Sequence, residues 1–539
     1  LEVFRNGKNI TYNPWKCPKK SAISTGYTPK MPYNPWKSQK KYAISTGYKF
    51  FLVYLQRKTN LFLIMLIGRE NEKKRLLALV QKEESQFCAV YGRRRVGKTF
   101  LIRQSFNGNF TFQHTGLANS TLEEQLDEFK ESLKNYGLKN CKTPKNWREA
   151  FRFLAALLEQ SIEKKKVVFI DELSWMDTPK SNFISALEHF WNSWASARKD
   201  IVLIVCGSAT SWIVSKIIKN YGGLHNRLTE QIYLRPFNLY ECECFCRAAN
   251  MEFSRYDILE FYMALGGIPY YWNFINRELS VSQNIDRIFF SGSSPLKNEF
   301  LSLYSSLFKN PEPYLEIVKT LGEKKAGMTR SEILSETKMS DNQIFSHVLE
   351  ELEQCSFIRK YYAFQKRTKD AIYQLIDNYT LFYFRYIQKN SKRSENFYSL
   401  SENTPIRNSW SGLAFERVCF WHINQIKQKL GISGVGAGVN SWFTKPSELY
   451  DGAQIDLLID RDDKVINLCE IKFYNGDFIV DKTYSDNLRN KISTFKLATK
   501  TKKSVRLTMI TVFGVKKNKY SSLINSEITA EDLFRDEIE

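Results

Sequence analysis

Gly92-Arg93-Arg94-Arg95-Val96-Gly97-Lys98-Thr99 gathers the residue types that hold phosphate. Two glycines let backbone N–H groups approach an anion, a lysine places a charge on its oxygens, and a threonine hydroxyl can serve Mg²⁺. The apolar run from Phe87 to Tyr91 precedes this string and the helix-like run from Thr99 to Gln104 follows it. A strand feeding a glycine loop that opens a helix N-terminus is the geometry that phosphate binding requires. The stretch Gly92, Arg93, Arg94, Arg95, Val96, Gly97, Lys98, Thr99 and Phe100 is therefore expected to wrap ATP, with Lys98 on the β- and γ-phosphates and Thr99 on Mg²⁺. A second element completes the chemistry: Val167-Val168-Phe169-Ile170 reads as a buried parallel strand ending in Asp171 and Glu172. Asp171 is expected to hold the Mg²⁺ water shell and Glu172 to orient or deprotonate the attacking water.

Two more residues belong to this expected centre. Strand-like Ile201–Cys206 runs into Gly207-Ser208, which lifts a hydroxyl to the level of the γ-phosphate. Ser208 reads as a sensor of that phosphate or of the lytic water, and equally as the polar cap of a helix over 211–219. Arg227 precedes a last strand around 231–234. It reads either as a guanidinium that stabilises charge on the transferring phosphoryl group, in cis or in a neighbouring subunit, or as a solvated side chain.

A separate constellation lies near the C-terminus: Glu416 on an amphipathic helix expected from Gly412 to about Leu430, Asp456 in a strand over 453–459, and Glu470-Ile471-Lys472 in its expected hairpin partner. Period two puts Glu470 and Lys472 on one strand face. Asp456 and Glu470 would coordinate Mg²⁺, Glu416 would complete or orient that shell, and Lys472 would polarise an attacking water.

These residues need a scaffold. Strand and helix signals alternate from residue 65 to about 237, which implies an α/β unit with a parallel sheet and the nucleotide at the carboxyl ends of its strands. Helical patterns fill 238–300, read as a lid over that site. From 301 to 390 come short helices over 314–321, 329–337 and 340–355 and strands over 357–362 and 371–376, the order of a winged helix. Helix 340–355 carries Asp341, Glu350, Glu351 and Glu353 and no lysine or arginine, so DNA contact would fall to the wing cations Arg359, Lys360, Lys366, Arg367 and Lys369; packing against protein is the other reading. Residues 391–539 hold the carboxylate constellation. The aromatic run Tyr379–Tyr386 has helical spacing and reads as core.

Ile67-Gly68-Arg69-Glu70, the triple-arginine loop, Phe169-Ile170-Asp171-Glu172, Gly207-Ser208, Arg227 with Leu234-Arg235-Pro236-Phe237, and Gly266-Gly267-Ile268-Pro269 together resemble the archaeal-type ATPase family, on the STAND/AAA+ side of the P-loop enzymes. The resemblance covers the chain from residue 65 onward. It implies ATP hydrolysis, a winged helix, and an ASCE-type sheet in which the Glu172 strand lies next to the phosphate-loop strand. The Glu416, Asp456, Glu470-x-Lys472 arrangement resembles the PD-(D/E)xK nuclease fold, which implies a restriction-endonuclease-like α/β domain and DNA as partner. No proline precedes Asp456 in that fold's usual way, and a degenerate domain that binds without cutting is the alternative.

The formal charge of +22 suits a polyanionic partner, but twelve of the basic residues, against Glu2 alone, sit in residues 1–64 and supply half the excess. That segment repeats itself: Tyr12–Tyr27 returns 21 residues on as Tyr33–Tyr48, without helical or strand periodicity. The expectation is that residues 1–64 are disordered or translated upstream repeat DNA and that the native start is Met65. The most apolar stretch, Leu61–Ile67, is far shorter than the roughly twenty residues a membrane span needs. Ten scattered cysteines, of which Cys242-x-Cys244-x-Cys246 lacks zinc spacing, read as reduced thiols in a cytoplasmic protein. Self-association through the ATPase domain is a further expected partnership.

Overall fold

The computed structural model describes residues 66–208, 210–219, 222–308, 310–365, 371–388 and 394–536. The N-terminal repeats and the wing cations Lys366, Arg367 and Lys369 lie outside the described residues.

A five-stranded parallel sheet forms first. Its strands are β1 (Gln86–Tyr91), β2 (Phe112–Thr115), β3 (Lys166–Asp171), β4 (Ile201–Gly207) and β5 (Glu230–Tyr233), in the order β2-β3-β4-β1-β5. Phe87, Ala89, Val168, Leu203 and Val205 face a core built by helices Leu122–Asn135, Trp147–Gln160 and Phe183–Ser193. The first of these helices is opened by a reciprocal cap between Thr121 and Glu124. Helices Glu70–Leu79 and Lys98–Ser105 supply Leu76, Leu79, Leu101 and Ile102 to the buried interior.

The strand order corrects one expectation. The Asp171–Glu172 strand, β3, is not next to the phosphate-loop strand; β4 stands between them and pairs in parallel with both. All seven residues of Ile201–Gly207 are buried, as suits an inner strand of a parallel sheet, and β3 is buried along its whole length as well. Ser208, at the carboxyl end of β4, is thereby set between the loop and Glu172.

Helices Leu239–Ala248, Arg255–Leu265, Val281–Phe289 and Glu299–Leu307 follow. Gly267 lies against the Phe237 backbone, whose N–H donates to the Gly267 carbonyl; a β-carbon at 267 would sit 1.8 Å from the Phe237 carbonyl oxygen, so only glycine fits. Next come helix Glu312–Glu323, β6 (Met328–Thr329), helices Arg330–Thr337 and Gln343–Gln354, β7 (Ile358–Tyr361) and β8 (Ile372–Leu375), with the strands in the order β6-β8-β7. The two-residue β6 was not visible as a strand signal in sequence. Tyr379, Phe382 and Tyr386 of the aromatic run are fully buried core.

The C-terminal unit is a mixed five-stranded sheet, β9 (Ala437–Thr444), β10 (Ala453–Arg461), β11 (Val465–Lys472), β12 (Ser504–Thr511) and β13 (Ser526–Thr529), in the order β13-β12-β11-β10-β9. The β9–β10 and β10–β11 pairs are antiparallel, and β11, β12 and β13 run parallel, with helix Lys482–Thr499 as the crossover. The helix expected over 412–430 starts earlier, at Pro405, because Thr404 caps it and Pro405 takes the first turn, and it breaks at His422 into Pro405–Trp421 and Ile423–Lys429.

Candidate functional site: a phosphate loop and a carboxylate cluster

The glycine loop leaves β1 under tight constraint. Gly92 has φ 143°, and a β-carbon there would meet the Leu234 carbonyl oxygen at 2.3 Å, so the loop can pass Leu234 only as glycine. Gly97, at φ 92° with open space where a β-carbon would be, immediately precedes helix Lys98–Ser105. The unpaired N–H groups of that helix start are aimed at the loop.

Lys98 is buried, and its Nζ donates to the carbonyls of Gly92 at 2.8 Å and Arg93 at 2.9 Å. Burial pushes its pKa down, and the Cys206, Glu172 and Asp171 side chains push the other way. An ammonium removed from water and bonded only to loop carbonyls suits a multiply charged anion, which is the test the site must pass to hold a triphosphate. Thr99 Oγ1 donates to Asp171 Oδ2 at 2.8 Å, so the two residues that would hold Mg²⁺ already face each other. Glu172 follows β3 in a left-handed conformation, φ 48° and ψ 46°, and its Oε2 accepts from the Ser208 N–H at 3.1 Å and the Ser208 hydroxyl at 2.9 Å.

The three loop arginines diverge. Arg93, with 1% of its surface exposed, forms a bidentate pair with Asp377 just past β8, one arm at 3.2 Å, and stacks over Phe357 at 4.5 Å. Burial disfavours its charge, yet Asp377 more than restores it and drives the pKa up. Arg95 pairs with Glu299 and lies over the Tyr270 ring at 4.2 Å, while Tyr271 donates to the other Glu299 oxygen at 2.9 Å. Arg94 and Phe100 are half-buried. The side chains of Arg93 and Arg95 thus bind carboxylates 284 and 204 residues away, in the pairs 93–377 and 95–299, and Val96, the residue after Arg95, is buried. Arg227 is exposed.

In the C-terminal unit the structure brings Glu416 and Asp456 together and places Glu470 with Lys472. Helix Pro405–Trp421 packs on β11 and carries the buried Glu416. Asp456 sits where the β9–β10 register shifts between Ile455 and Leu458, and one residue beyond the Leu457–Cys469 pair, which puts it beside Glu470 across the hairpin. Lysines join the carboxylates. Lys325 Nζ lies 2.5 Å from Glu416 Oε1 and 3.9 Å from Asp456 Oδ2. Glu470 accepts from Tyr484 at 2.8 Å and Lys491 at 2.8 Å, and Lys472 is 3.2 Å away. Burial and the Asp456 charge raise the Glu416 pKa. Burial also works to raise Glu470, but Lys491, Lys472 and the Tyr484 hydroxyl outweigh it and hold its pKa below the usual carboxylate range. Lys472 pairs with Glu470 in this arrangement. Among the described residues no three His, Cys, Asp or Glu side chains stand assembled as a metal site.

Sequence reasoning missed Asp377, Glu299, Lys325, Tyr484 and Lys491. Each meets its partner across a long sequence separation or on a separate element, and no local spacing marks it. Two cavities flank the cluster, one of about 650 Å³ lined by Lys319, Lys325, Arg385, Glu416 and Lys472, the other of about 350 Å³ reaching Asp456.

Comparison with known proteins covers the stretch that holds the first of these centres. Residues 66–273 match the model of an ATPase domain found predominantly in Archaea. An uncharacterized protein of Methanocaldococcus jannaschii is 24% identical over 442 residues, spanning 79% of this chain and 91% of that protein. Among solved structures, a Walker-type ATPase of Pyrococcus abyssi is similar with a TM-score of 0.43 at 18% identity, over 60% of this chain and 96% of that one. The ORC2 protein of Aeropyrum pernix is similar with a TM-score of 0.37 at 13% identity, over 59% and 93%. No helix among the described residues is long and apolar enough to cross a membrane. The stretch that matches this ATPase domain model, residues 66–273, is the one in which a strand, glycine loop and helix N-terminus surround Lys98, with Asp171 and Glu172 across β4.

Proposed function

We propose that this protein hydrolyses ATP at Lys98, Thr99, Asp171 and Glu172 and couples that reaction to Mg²⁺-dependent cleavage of DNA by its C-terminal unit. The observation that carries the first half is the buried Lys98 ammonium, bonded only to loop carbonyls and backed by two carboxylates. In this reading the loop N–H groups and Lys98 orient the phosphates, Glu172 activates water, and Ser208 fixes where Glu172 points. Mg²⁺ held at Thr99 and Asp171 would supply charge neutralisation on the phosphates. Arg227, exposed near the end of the domain, serves as an arginine finger toward a second copy.

The coupling half rests on connectivity. Arg93 and Arg95 join the phosphate loop to Asp377 and Glu299, so a change in the loop is felt by the helical lid and by the module over 301–390, which we assign as a winged helix from its helix, strand, helix, helix, strand, strand order. The C-terminal unit is assigned as PD-(D/E)xK-like from Glu416, Asp456, Glu470 and Lys472, and the basic lining of the larger cavity suits a phosphodiester backbone.

A specific observation favours a second reading, a nucleotide-switched assembly scaffold whose C-terminal unit binds without cutting: Glu416, Asp456 and Glu470 all have lysine partners. Plasmid cleavage with Mg²⁺, with and without ATP, separates the two. Cutting by the wild type that Lys472→Ala abolishes supports the nuclease; no cutting by either protein, on circular or linear DNA, supports the scaffold.

A further inference from the structure

Lys325 does not belong to the unit whose carboxylates it touches. It lies in the turn between helix Glu312–Glu323 and β6, a turn fixed by Gly327 at φ 80°, where a β-carbon would meet the Tyr373 carbonyl oxygen at 2.5 Å. The Lys325 carbonyl accepts from Gln374 Nε2 at 2.7 Å and from Arg417 Nη2 at 2.6 Å, so the backbone under the lysine is clamped from β8 on one side and from helix Pro405–Trp421 on the other. From this base its ammonium reaches Glu416 and Asp456.

Three features distinguish this contact from a static ion pair. The Glu416 side chain is 6% exposed but that of Lys325 is 49% exposed, so the lysine can turn out to water without opening a core. Both cavities are lined by Lys325 and Glu416 together, so the lysine is the partition between them. The strand that carries Gln374 leads within three residues to Asp377, the partner of the phosphate-loop Arg93.

We propose that Lys325 is an intramolecular gate: its ammonium stands between Glu416 and Asp456 in place of a divalent cation, and the cluster takes up that cation only when Lys325 swings out and the two cavities join. The proposal rests on the reading of Glu416, Asp456 and Glu470 as a cation-dependent centre and adds what keeps it shut. It also accounts for the lysine partners of the cluster without making the unit inert.

The test uses the full chain without nucleotide, titrated with Mn²⁺ and followed by electron paramagnetic resonance. A gate closed more than about nine-tenths of the time weakens apparent affinity at least about tenfold, so Lys325→Gln should gain one Mn²⁺ site tighter by that factor than wild type shows there. Adding Glu416→Gln to Lys325→Gln should remove the gained ion, and Lys325→Arg should behave like wild type. ATP turnover in Lys325→Gln within about twofold of wild type confirms an intact chain. Equal Mn²⁺ binding by wild type and Lys325→Gln would overturn the gate, as would a gained ion that survives Glu416→Gln. Plasmid cleavage separates this from the nuclease reading: Mn²⁺ gained together with cutting supports both, and Mn²⁺ gained without cutting supports the gate and removes the nuclease.

Discussion

Glu172 is held in a left-handed backbone conformation, and both hydrogen-bond donors of Ser208 fall on one of its oxygens. Such a backbone state costs of order 1 kcal/mol or more in a residue with a β-carbon and persists where the surroundings enforce it. Replacing Glu172 by Gln keeps size and hydrogen bonding but removes the proposed base, so the variant should bind ATP as wild type does and turn over at least about 10²-fold slower in a steady-state phosphate-release assay. Lys98→Ala should abolish binding of a fluorescent ATP analogue, since the loop's other buried cation, Arg93, is paired with Asp377. Ser208→Ala retains the backbone donor but loses the hydroxyl; a hydrogen bond to a charged group contributes about 1.5–3 kcal/mol, so kcat should fall roughly tenfold or more with KM for ATP little changed. These residues were legible in sequence because loop, strand end and strand end each carry a local pattern. The reach of Arg93 and Arg95 was not, because the pattern that marks phosphate binding is satisfied by backbone N–H groups and leaves the arginine side chains unassigned.

Among the elements, β8 is the connector. At one end it follows a segment outside the described residues; at the other it runs into Asp377, whose carboxylate caps helix Asn378–Phe382 by accepting from the Thr380 N–H and hydroxyl while it pairs with Arg93. Removing one partner of a buried pair leaves an uncompensated charge, which costs about 3–5 kcal/mol. Arg93→Ala should therefore lower the thermal unfolding midpoint by several degrees, and Arg94→Ala, at a half-buried position, should leave it nearly unchanged; calorimetry on the two variants checks this. Most elements were readable from periodicity, and the errors are instructive. The adjacency expected for β1 and β3 failed because strand order is a relation between strands: β3 and β4 are both buried throughout, and no property of either one alone gives their order. The helix around Glu416 was misplaced at its start because the Thr404-Pro405 cap carries no apolar periodicity, and its break falls at His422, whose ring accepts the Leu239 N–H.

At the level of the whole molecule, His422 stitches distant parts of the chain. Fully buried, it accepts the Leu239 N–H on Nε2 at 2.9 Å and bonds the Val418 carbonyl through Nδ1 at 2.7 Å, joining helix Leu239–Ala248 to the C-terminal unit. Burial holds its pKa down at about 4, and that of His114 at about 3, against 6.5 when exposed. Because the folded values are lowered, the unfolded chain binds more protons between these limits. The stability contribution is complete above about pH 6.5 and is lost as the pH falls toward 4. Each histidine contributes up to one proton, about 1.4 kcal/mol per pH unit, so His422→Gln should show a shallower decline of unfolding midpoint between pH 6.5 and 4 than wild type.

The outward grip of the phosphate loop has a practical corollary for anyone dissecting this chain. A fragment ending at residue 273 would contain every group expected to touch ATP, yet it would lack Glu299, Asp377 and Phe357 and so strand two guanidiniums that the intact protein shelters. Its catalytic constants would describe a loop released from its moorings, and the natural minimal piece for enzymology extends past Asp377.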